Sequence, residues 1–576
     1  METLEDLGAF TFKKLWKNTV YKFSDRPALG LVGEEPLTYA QVNVEVERRK
    51  RDLINLGMKR GDRILLIGSG SPQWGISYLS IVLTGAVAVP LLPDFSEVEI
   101  SSFCRHSGAV GIIVSEKLSS KILPEVRDMV EYVFNLENWK MEKHSSRSVE
   151  NPDYEPLIED SETASIIYTS GTTGKSKGVE LTHKNLVSNA IDCQTVHRVN
   201  KYDVVLSFLP LSHVYEFTIG FVMQILNGSC IYYLGKAPTV SSLMPALSKI
   251  RPTIILSVPI IMEKIYKNKV YPEVAKNKVT AKLYKIPFFR KLIHRKAGKM
   301  LKRTFGGRIR FFGIGGAKLD VTVERFLKEG KFPYAIGYGL TETSPLVAGA
   351  GPKKTRIGTI GPVLRNVQVK ILGADEKTGI GEIAVKGPNV MKGYYLEEEL
   401  TRNVFTEDGW FKTGDLGNFD KKGYLAIKGR CKNMILGASG ENIYPEDIEF
   451  VINQHPFVNE SLVVEDGSGL VALVQIDEEK VNEAVKKKTL PETLSGIKTA
   501  VGNAMENAHQ AFLYNREALL NEIKFFVNSQ VNKTSKVNRV ETVPEFEKTA
   551  TQKIKRYVYN TEQPPETAGK GKKRKN

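Results

Sequence analysis

The feature that most constrains the fold is the alternation of apolar, strand-like runs with longer helical patterns through the first 430 residues. The runs are RILLIG (63–68), AVAVPLL (86–92), VGIIVS (110–115), VVLSFLP (204–210), TIILSV (253–258) and IRFFGIGGA (309–317). Strands that alternate with helices form parallel sheets whose faces the helices cover. The sequence therefore predicts an α/β fold for this part of the chain.

After Gly351 the pattern changes, which predicts two further parts. The runs VQVKIL (367–372), GEIAVKG (381–387) and YLAIKG (424–429) are short alternating strands between Gly-rich turns, typical of a small barrel-like subdomain or an antiparallel sheet. From about Arg430 a smaller α+β unit follows, with helices predicted at 448–454 and 517–528 and a strand at 470–476. We expect domains over 1–429 and 430–560, and a basic, disordered tail over 561–576.

The cysteines and the longest uncharged run indicate the cellular compartment in which the protein is expected. The 576 residues include only four Cys, with no CxxC spacing, which argues against a disulfide framework or a zinc site. No secretory signal is visible at the start of the sequence. The uncharged run 217–234 contains Gln, Asn and Gly, so it predicts a buried helix, turn and strand. We expect a cytoplasmic protein.

The net charge of +16 is concentrated in two segments. Residues 264–310 hold 16 Lys and Arg against one acid, and residues 570–575 hold five more basic residues. Within 282–303 an apolar face recurs at helical spacing, formed by Phe289, Leu292, Ile293, Ala297, Met300 and Leu301. We expect either peripheral contact with an anionic membrane, on the inner face, or a packed helix with a solvated basic side. Zinc-finger spacing, an RNP-like motif and a basic heptad region are all missing, which argues against nucleic acid.

One loop carries the strongest chemical signal. An apolar strand runs into YTSGTTGKSKG (168–178), and a helix is predicted after His183. Glycines allow turns that aim N–H groups inward, and Ser and Thr add hydroxyl donors, so this loop can hold phosphate oxygens. A Walker A loop would need Gly at position 169, which is Thr.

The same eleven residues resemble the YTSGTTGxPKG signature of the acyl-adenylate-forming superfamily, which includes acyl-CoA synthetases, luciferases and adenylation domains. Ser176 stands where that signature has Pro. Four further segments resemble motifs of the family in the same order: GIGGAK (313–318), GYGLTET (337–343), WFKTGD (410–415) and GRCK (429–432). The resemblance covers about 15–557 and is strongest for bacterial long-chain acyl-CoA synthetases.

The resemblance implies a role for each matching residue. It places ATP and AMP binding at Thr169, Ser170, Gly171, Thr172, Thr173, Gly174, Lys177, Gly315, Gly316, Ala317, Tyr338, Gly339, Asp415 and Arg430. Thr341 would reach the α-phosphate and Glu342 would hold Mg2+, because a carboxylate oxygen suits that cation. Lys553, in TATQKIKR (549–556), would be the catalytic lysine, and Lys432 the hinge. Gly440, Glu441 and Asn442 would form the loop on the CoA side.

The reaction implied has two halves. A carboxylate attacks the α-phosphorus of ATP to give an acyl-adenylate and pyrophosphate, and the thiol of CoA then expels AMP while the C-terminal domain rotates. We expect a long-chain fatty acid, with His213, Tyr215 and Phe217 of LPLSHVYEFT (209–218) beside the acyl tunnel. The alternatives are an acyl-AMP ligase that loads a carrier protein, a CoA ligase for another acid, and a non-enzymatic lipid-binding scaffold, which the intact motifs disfavour. The sequence leaves the oligomeric state open, with a homodimer among the alternatives.

Overall fold

The computed structural model describes residues 8–144, 155–170, 176–275, 278–436, 442–466, 469–486, 508–549 and 553–559. They form two compact units. The first contains the described residues up to Ile427 except 414–416. The second contains 414–416 and the described residues from Lys428 onward. The predicted tail, 561–576, lies outside the described residues.

Two eight-stranded sheets build the first unit. In sheet A the strands run in the order Leu346–Ala350, Tyr334–Gly339, Phe311–Ile314, Ile254–Ser257, Val204–Ser207, Cys230–Tyr233, Pro27–Leu31 and Leu37–Thr38. The six central strands are parallel, and an antiparallel strand closes each edge. Most residues of these central strands are buried, as expected for parallel strands covered on both faces.

Sheet B has the order Gly393–Tyr394, Ser176–Thr182, Thr163–Ser170, Val87–Leu91, Arg63–Ile67, Gly111–Val114, Tyr132–Asn135 and Met141–Lys143. Five neighbouring strands, from Thr163–Ser170 to Tyr132–Asn135, are parallel. All six strand-like runs predicted from the sequence are strands in sheets A and B. The predicted α/β fold class is therefore confirmed.

Helices cover both sheets. They are Phe12–Phe23, Tyr39–Asn55, Pro72–Leu83, Glu97–Ser107, Pro124–Met129, His183–Asp192, Met223–Leu226, Val240–Ile250, Pro259–Ile265, Tyr271–Ala275, Lys278–Tyr284, Pro287–Thr304, Val321–Glu329 and Glu398–Val404, with π-helices at Glu216–Val222 and Tyr266–Val270. Several begin at a hydroxyl cap; the Thr182 hydroxyl, for example, accepts the N–H of Asn185. The predicted helix, turn and strand in 217–234 are confirmed. Within the described chain, no helix is both long and apolar enough to cross a membrane.

The helix Pro287–Thr304 divides the predicted apolar face. Leu301 is buried, but Phe289, Leu292 and Met300 are exposed, so only part of the predicted apolar face packs against the protein. A side chain on Gly298 would collide with the carbonyl oxygen of Gly330, and the lack of one lets the helix lie directly on that backbone. The close approach turns the side of the helix that carries Gly298 inward and the phenylalanines outward.

Sheet C continues the chain with the predicted short strands. Its order is Gln368–Leu372, Gly381–Lys386, Phe411–Phe419 and Leu425–Arg430. The second unit contains the pair Ile435–Leu436 and Asn442–Ile443, the sheet Val458–Glu465, Leu470–Ile476 and Arg539–Thr542, and the helices Pro445–Ile452, Glu478–Lys486 and Ala508–Asn528. Its apolar core includes Ile448, Ile452 and Ile523. The α+β prediction for this part is correct, and its last helix begins earlier than predicted.

None of the four cysteines is in a disulfide. Cys104, Cys193 and Cys230 are buried, whereas Cys431 is half-buried. Burial raises the pKa of the Cys104 thiol to about 11 and that of Cys230 to about 12. The absence of disulfides agrees with the prediction from cysteine spacing.

Candidate active site

The predicted phosphate-binding segment lies on a hairpin of sheet B. Thr163–Ser170 pairs antiparallel with Ser176–Thr182, and Thr169 faces Lys177 in the register. Gly171, Thr172, Thr173 and Gly174 lie outside the described residues. The sequence analysis missed the returning strand, in which Val179 and Leu181 are buried on either side of the half-buried Glu180. A second strand, rather than a helix, follows the loop, which agrees with the exclusion of a Walker A motif.

The second predicted segment, 313–318, leaves the end of a central strand of sheet A. Gly313 and Gly315 contact the ring of Tyr215: added Cβ atoms would lie 3.1 Å from its Oη and 3.2 Å from its Cζ. Gly316 has a φ of +88° and is exposed together with Ala317. The backbone here is thus accessible on one side and covered by an aromatic ring at its base.

The third segment, 337–343, follows the neighbouring strand of sheet A. A side chain on Gly339 would collide with the carbonyl oxygen of Pro345, so the close approach of these two backbone segments requires glycine. The turn Thr341–Thr343 places Glu342 beside sheet B, where the N–H of Met391 donates to its carbonyl oxygen at 2.8 Å. Tyr338, Thr341 and Glu342 are all partly exposed.

Tyr394 joins the first and third segments, and the sequence analysis missed it. Its hydroxyl donates to Oε1 of Glu342 at 2.9 Å, and the Lys177 ammonium lies 4.9 Å from the centre of its ring. The strand Gly393–Tyr394 pairs with Ser176–Thr182, which fixes the position of the ring. Burial, and then the nearby Glu342 carboxylate, raise the pKa of Tyr394, so the hydroxyl remains a donor. No motif marks this position in the sequence; its only signal is a glycine followed by two tyrosines.

The three predicted tunnel residues do not face the same neighbours. Tyr215 contacts the glycines of 313–315, and its N–H donates to Nδ1 of His213 at 3.3 Å. Phe217 is 2% exposed and packs in the core, with its ring centre 4.4 Å from that of Tyr78 and 6.1 Å from that of Trp74. Tyr215 is therefore the member of this set that touches a predicted nucleotide-binding segment.

In the second unit, two predicted residues meet. Nε of Arg430 lies 3.0 Å from Oδ1 of the buried Asp415. Lys432 is exposed on the turn Cys431–Asn433. Gly440 and Glu441 lie outside the described residues, and the backbone of Asn442 begins a short strand.

Lys553 is exposed at the end of a tight backbone loop of the second unit. The N–H of Thr549 donates to the carbonyl oxygen of Lys553 at 2.8 Å, and the Thr549 hydroxyl accepts the Lys553 N–H at 3.2 Å. The neighbouring cations are engaged elsewhere: Lys548 pairs with Glu460 at 2.7 Å and Arg556 with Glu449 at 2.7 Å. Lys553 is exposed, whereas Lys548, Lys555 and Arg556 are half-buried.

Comparison with known proteins places this geometry in context. A model of the AMP-binding enzyme family matches residues 16–395. A long-chain-fatty-acid–CoA ligase of Mycobacterium bovis is 30% identical over 482 residues, 77% of this chain and 78% of its own length. Peroxisomal long chain acyl-CoA synthetase 7 of Arabidopsis thaliana is 30% identical over 504 residues, 79% of this chain and 70% of its own length. A chloroplastic long-chain-fatty-acid–acyl-carrier-protein ligase of the same plant is 26% identical over 574 residues, 84% and 78% of the two lengths.

Solved structures share the fold. ATP-bound MatB of Rhodopseudomonas palustris aligns with a TM-score of 0.71 at 23% identity, covering 95% of this chain and 98% of that one. The o-succinylbenzoate CoA synthetase MenE of Bacillus subtilis, in complex with its acyl-adenylate, aligns with a TM-score of 0.70 at 21% identity, covering 95% and 97%. These likenesses concern the fold alone.

Proposed function

Because the chain belongs to the AMP-binding enzyme family, we propose that it activates a long-chain fatty acid with ATP and transfers the acyl group to CoA. In the first half, a carboxylate oxygen bonds to the α-phosphorus of ATP while the bond to pyrophosphate breaks. In the second, the CoA sulfur bonds to the acyl carbon, AMP leaves with the bonding electrons, and the thiol proton is released. The products are acyl-CoA, AMP and pyrophosphate.

The observation that carries this proposal is the link through Tyr394. It holds Glu342, of the third segment, and Lys177, of the hairpin, on one side chain. Fixed groups of opposite charge around a phosphate site stabilise the charge that develops during phosphoryl transfer without reorganising. We assign Thr341 and the hairpin residues Thr169, Ser170 and Lys177 to the phosphates, and Tyr338, Gly315, Gly316 and Ala317 to adenine.

Glu342 fits a magnesium site. The described residues hold no cluster of three or more His, Cys, Asp or Glu side chains, and Mg2+ typically takes one or two carboxylates together with substrate phosphates. The Tyr394 hydroxyl occupies one side of the carboxylate and fixes its orientation. When bound, Mg2+ neutralises phosphate charge. Glu342 would hold it, with the remaining ligands supplied by ATP and water.

We assign residues 430–560, which belong to the second unit, to a mobile domain that serves both half-reactions. Asp415 has acceptor oxygens for the ribose hydroxyls, and Arg430 holds its orientation at 3.0 Å. Lys553 would neutralise charge on the phosphates during adenylation. Lys432 is the proposed hinge, and Gly440, Glu441 and Asn442 would face CoA. Domain rotation of this kind exchanges catalytic groups between two steps at one site.

The long-chain acid is proposed from the relatives and from the segment 209–218. Two of the relatives described above are named for long-chain fatty acids or acyl chains and for CoA. Burying a methylene group contributes about 0.8 kcal/mol, so a long chain binds strongly in an apolar channel. Tyr215, at the base of the glycine segment, is the residue we assign to the channel entrance.

Two alternatives share the adenylation step. One relative is named as an acyl-carrier-protein ligase, which favours a carrier protein as the acceptor. The other alternative is a different carboxylic acid with CoA as acceptor. Both change the product and leave the first half-reaction intact.

The test is product analysis with palmitate, ATP and Mg2+, with and without CoA. Palmitoyl-CoA and AMP are expected with CoA, and palmitoyl-AMP without it. Palmitoyl-AMP that persists in the presence of CoA would replace CoA with a carrier protein. If palmitate gives no adenylate while a shorter or aromatic acid does, the long-chain assignment is wrong.

We also propose peripheral contact with an anionic membrane, on its cytoplasmic face, through 282–303. The helix Pro287–Thr304 exposes Phe288 (67%), Leu292 (46%) and Met300 (60%). Exposed basic side chains surround them: Lys291, Arg295, Lys296, Lys299, Lys302 and Arg303. Arg290 is excluded from this surface because its guanidinium pairs with Glu329 at 2.8 Å. Apolar side chains that enter the acyl boundary among basic ones fit an anionic lipid surface.

Vesicle flotation tests this contact. Replacing Lys291, Arg295, Lys299 and Lys302 by Gln is expected to weaken binding to phosphatidylglycerol-containing vesicles, by about 1 kcal/mol per charge. The double variant Phe288→Ser with Leu292→Ser is expected to weaken vesicle binding whatever the fraction of anionic lipid in the vesicles. A matched control replaces four other exposed lysines by Gln: Lys353, Lys354, Lys421 and Lys422. Equal losses in the control and the helix variants would contradict the assignment.

A homodimer is a further proposal, tested by light scattering in the same buffer.

A further inference from the structure

Glu216 is a buried carboxyl without a partner. It is 1% exposed, and neither carboxyl oxygen has a hydrogen bond within the described residues. The residue begins the π-helix Glu216–Val222, a backbone form that is rare and is often found at functional sites. Buried polar groups are normally hydrogen-bonded, and an unpaired one is costly, so this carboxyl requires a partner that the described part of the protein does not supply.

Two hydroxyls without partners lie beside it. Ser207 and Tyr233 end neighbouring parallel strands of sheet A and are paired in the register. Both are buried, and neither hydroxyl has a hydrogen bond in the part of the chain that the structure describes. The strand that Ser207 ends packs against the π-helix that Glu216 begins, and Tyr233 is the register partner of Ser207, so the three groups lie in one part of the fold. We call Ser207, Glu216 and Tyr233 the polar chamber.

The space around the carboxyl depends on Gly220. A Cβ added there would lie 2.6 Å from Oε1 of Glu216, so only glycine leaves room for the carboxyl over the π-helix. The chamber is at the carboxyl ends of parallel strands, where open α/β sheets bind their ligands. Tyr215, the adjacent residue, contacts Gly313 and Gly315. The chamber is therefore next to the proposed adenylation site.

The chemistry of the chamber selects an uncharged ligand. Burial raises the pKa of Glu216 to about 8, partly offset by the Ser207 hydroxyl, so the carboxyl carries a proton at neutral pH. The protonated acid and the two hydroxyls each donate and accept hydrogen bonds. A buried anion would lose its hydration with no positive charge among these three groups to balance it, and a cation would require ionisation of the buried acid. A hydroxyl group, which both donates and accepts, satisfies all three.

We propose that Ser207, Glu216 and Tyr233 form a buried binding site for an uncharged hydroxyl group. The hydroxyl comes either from ordered water or from a hydroxylated acyl chain, and the second source rests on the proposed function. Water in such a chamber would complete the hydrogen bonds of the apo protein. A hydroxylated substrate would displace it and gain those bonds.

The kinetic experiment compares kcat/KM for palmitate and for its positional hydroxy isomers. The enzymes are wild type, Glu216→Gln, Glu216→Leu and Glu324→Gln. Glu324 is the matched control, because it is equally buried but bonded through both oxygens, by Tyr334 at 3.2 Å and by the N–H of Gly358 at 2.9 Å. If the acyl chain supplies the hydroxyl, one isomer is preferred about tenfold or more, because a site built for a hydroxyl disfavours the analogue that lacks one. Glu216→Leu abolishes that preference, and Glu216→Gln and the control retain most of it.

A crystal structure of the apo protein tests the other source. Water within hydrogen-bond distance of Glu216, with no isomer preferred, assigns the hydroxyl to water. A dry chamber, or a protein group bonded to Glu216, together with no preferred isomer, overturns the proposal. Turnover of palmitate by the wild-type enzyme distinguishes failure of the proposed function from failure of the polar-chamber proposal. If the wild type does not turn over palmitate, the proposed function is wrong. The crystal structure then still tests whether the polar chamber binds a hydroxyl group.

Discussion

At the scale of the residue, Tyr394 has two contacts that a substitution can separate. Its hydroxyl reaches Glu342 at 2.9 Å, whereas its ring faces the Lys177 ammonium. A hydrogen bond to a charged group contributes about 1.5–3 kcal/mol. The hydroxyl is therefore expected to matter to the proposed Mg2+ ligand while the ring alone positions Lys177.

We predict that Tyr394→Phe slows acyl-adenylate formation by about tenfold or more and raises the Mg2+ concentration needed for half-maximal rate. Tyr394→Leu, which also removes the ring, loses more. Pyrophosphate release over a Mg2+ titration measures both effects. Tyr424→Phe is the control, since that hydroxyl donates to the carbonyl oxygen of Lys354 at 3.1 Å. A Tyr394→Phe enzyme with an unchanged Mg2+ dependence would remove Tyr394 from the site.

The buried carboxyl of Glu216 predicts a dependence of stability on pH. Its pKa is raised by burial to about 8 in the folded protein, against 4.5 for the exposed group. The unfolded chain therefore ionises first, and stability falls as pH rises between these values, by about 1.4 kcal/mol per unit. Glu216→Gln removes this loss. The free energy of unfolding of the variant, relative to that of wild type, therefore rises with pH up to about pH 8.

Urea unfolding from pH 5 to pH 9 measures this difference. All four tryptophans, Trp16, Trp74, Trp139 and Trp410, belong to the first unit, so their fluorescence follows the unit that holds Glu216. For Glu324→Gln the gain is expected to end earlier, because burial raises the pKa of Glu324 only to about 6. Parallel pH curves for wild type and Glu216→Gln would show that the carboxyl is ionised in the folded protein.

At the scale of the element, the orientation of helix Pro287–Thr304 depends on a small residue. Helix propensity predicts that Gly298→Ala gains about 1 kcal/mol. The structure predicts the reverse, because the new methyl group would collide with the Gly330 carbonyl oxygen. Displacing the helix is expected to cost about 1–3 kcal/mol, as overpacking does.

A lower urea midpoint for Gly298→Ala, with little change for the exposed neighbour Lys296→Ala, is the expected result. Stabilisation by Gly298→Ala would mean that the helix does not lie against Gly330. This element also shows where sequence periodicity is insufficient. Apolar spacing identified the helix, but its inward face was set by the close contact of two glycines that are distant in sequence.

Other elements also differ in whether the local sequence or contacts between distant residues determine their structure. The central strands of sheets A and B were predictable because buried parallel strands are continuous apolar runs. The strand Ser176–Thr182 was missed because glycine and lysine interrupt its alternation, and its partner strands supply the ordering. Glu342 was identified from a motif, whereas Tyr394 depends on a pairing between residues far apart in the sequence.

At the scale of the whole molecule, the two half-reactions test the assignment of the second unit. Lys553→Ala is expected to remove most acyl-adenylate formation, because the lysine would stabilise charge only in that half. Formation of thioester from supplied palmitoyl-AMP and CoA should persist. Lys555→Ala is the control, since its ammonium lies near Glu547 at 3.8 Å. Equal loss of both half-reactions in Lys553→Ala would contradict a role in one step.

The cysteines have a practical consequence for observing such a rotation. Three thiols are buried, and the raised pKa values of Cys104 and Cys230 keep them protonated and unreactive at neutral pH. Cys431 alone is partly accessible, and it is adjacent to the proposed hinge residue Lys432. A maleimide fluorophore would therefore attach at one position of the wild-type chain, at the point where the backbone is proposed to turn. The protein carries its own labelling site, and no cysteine needs to be removed to use it.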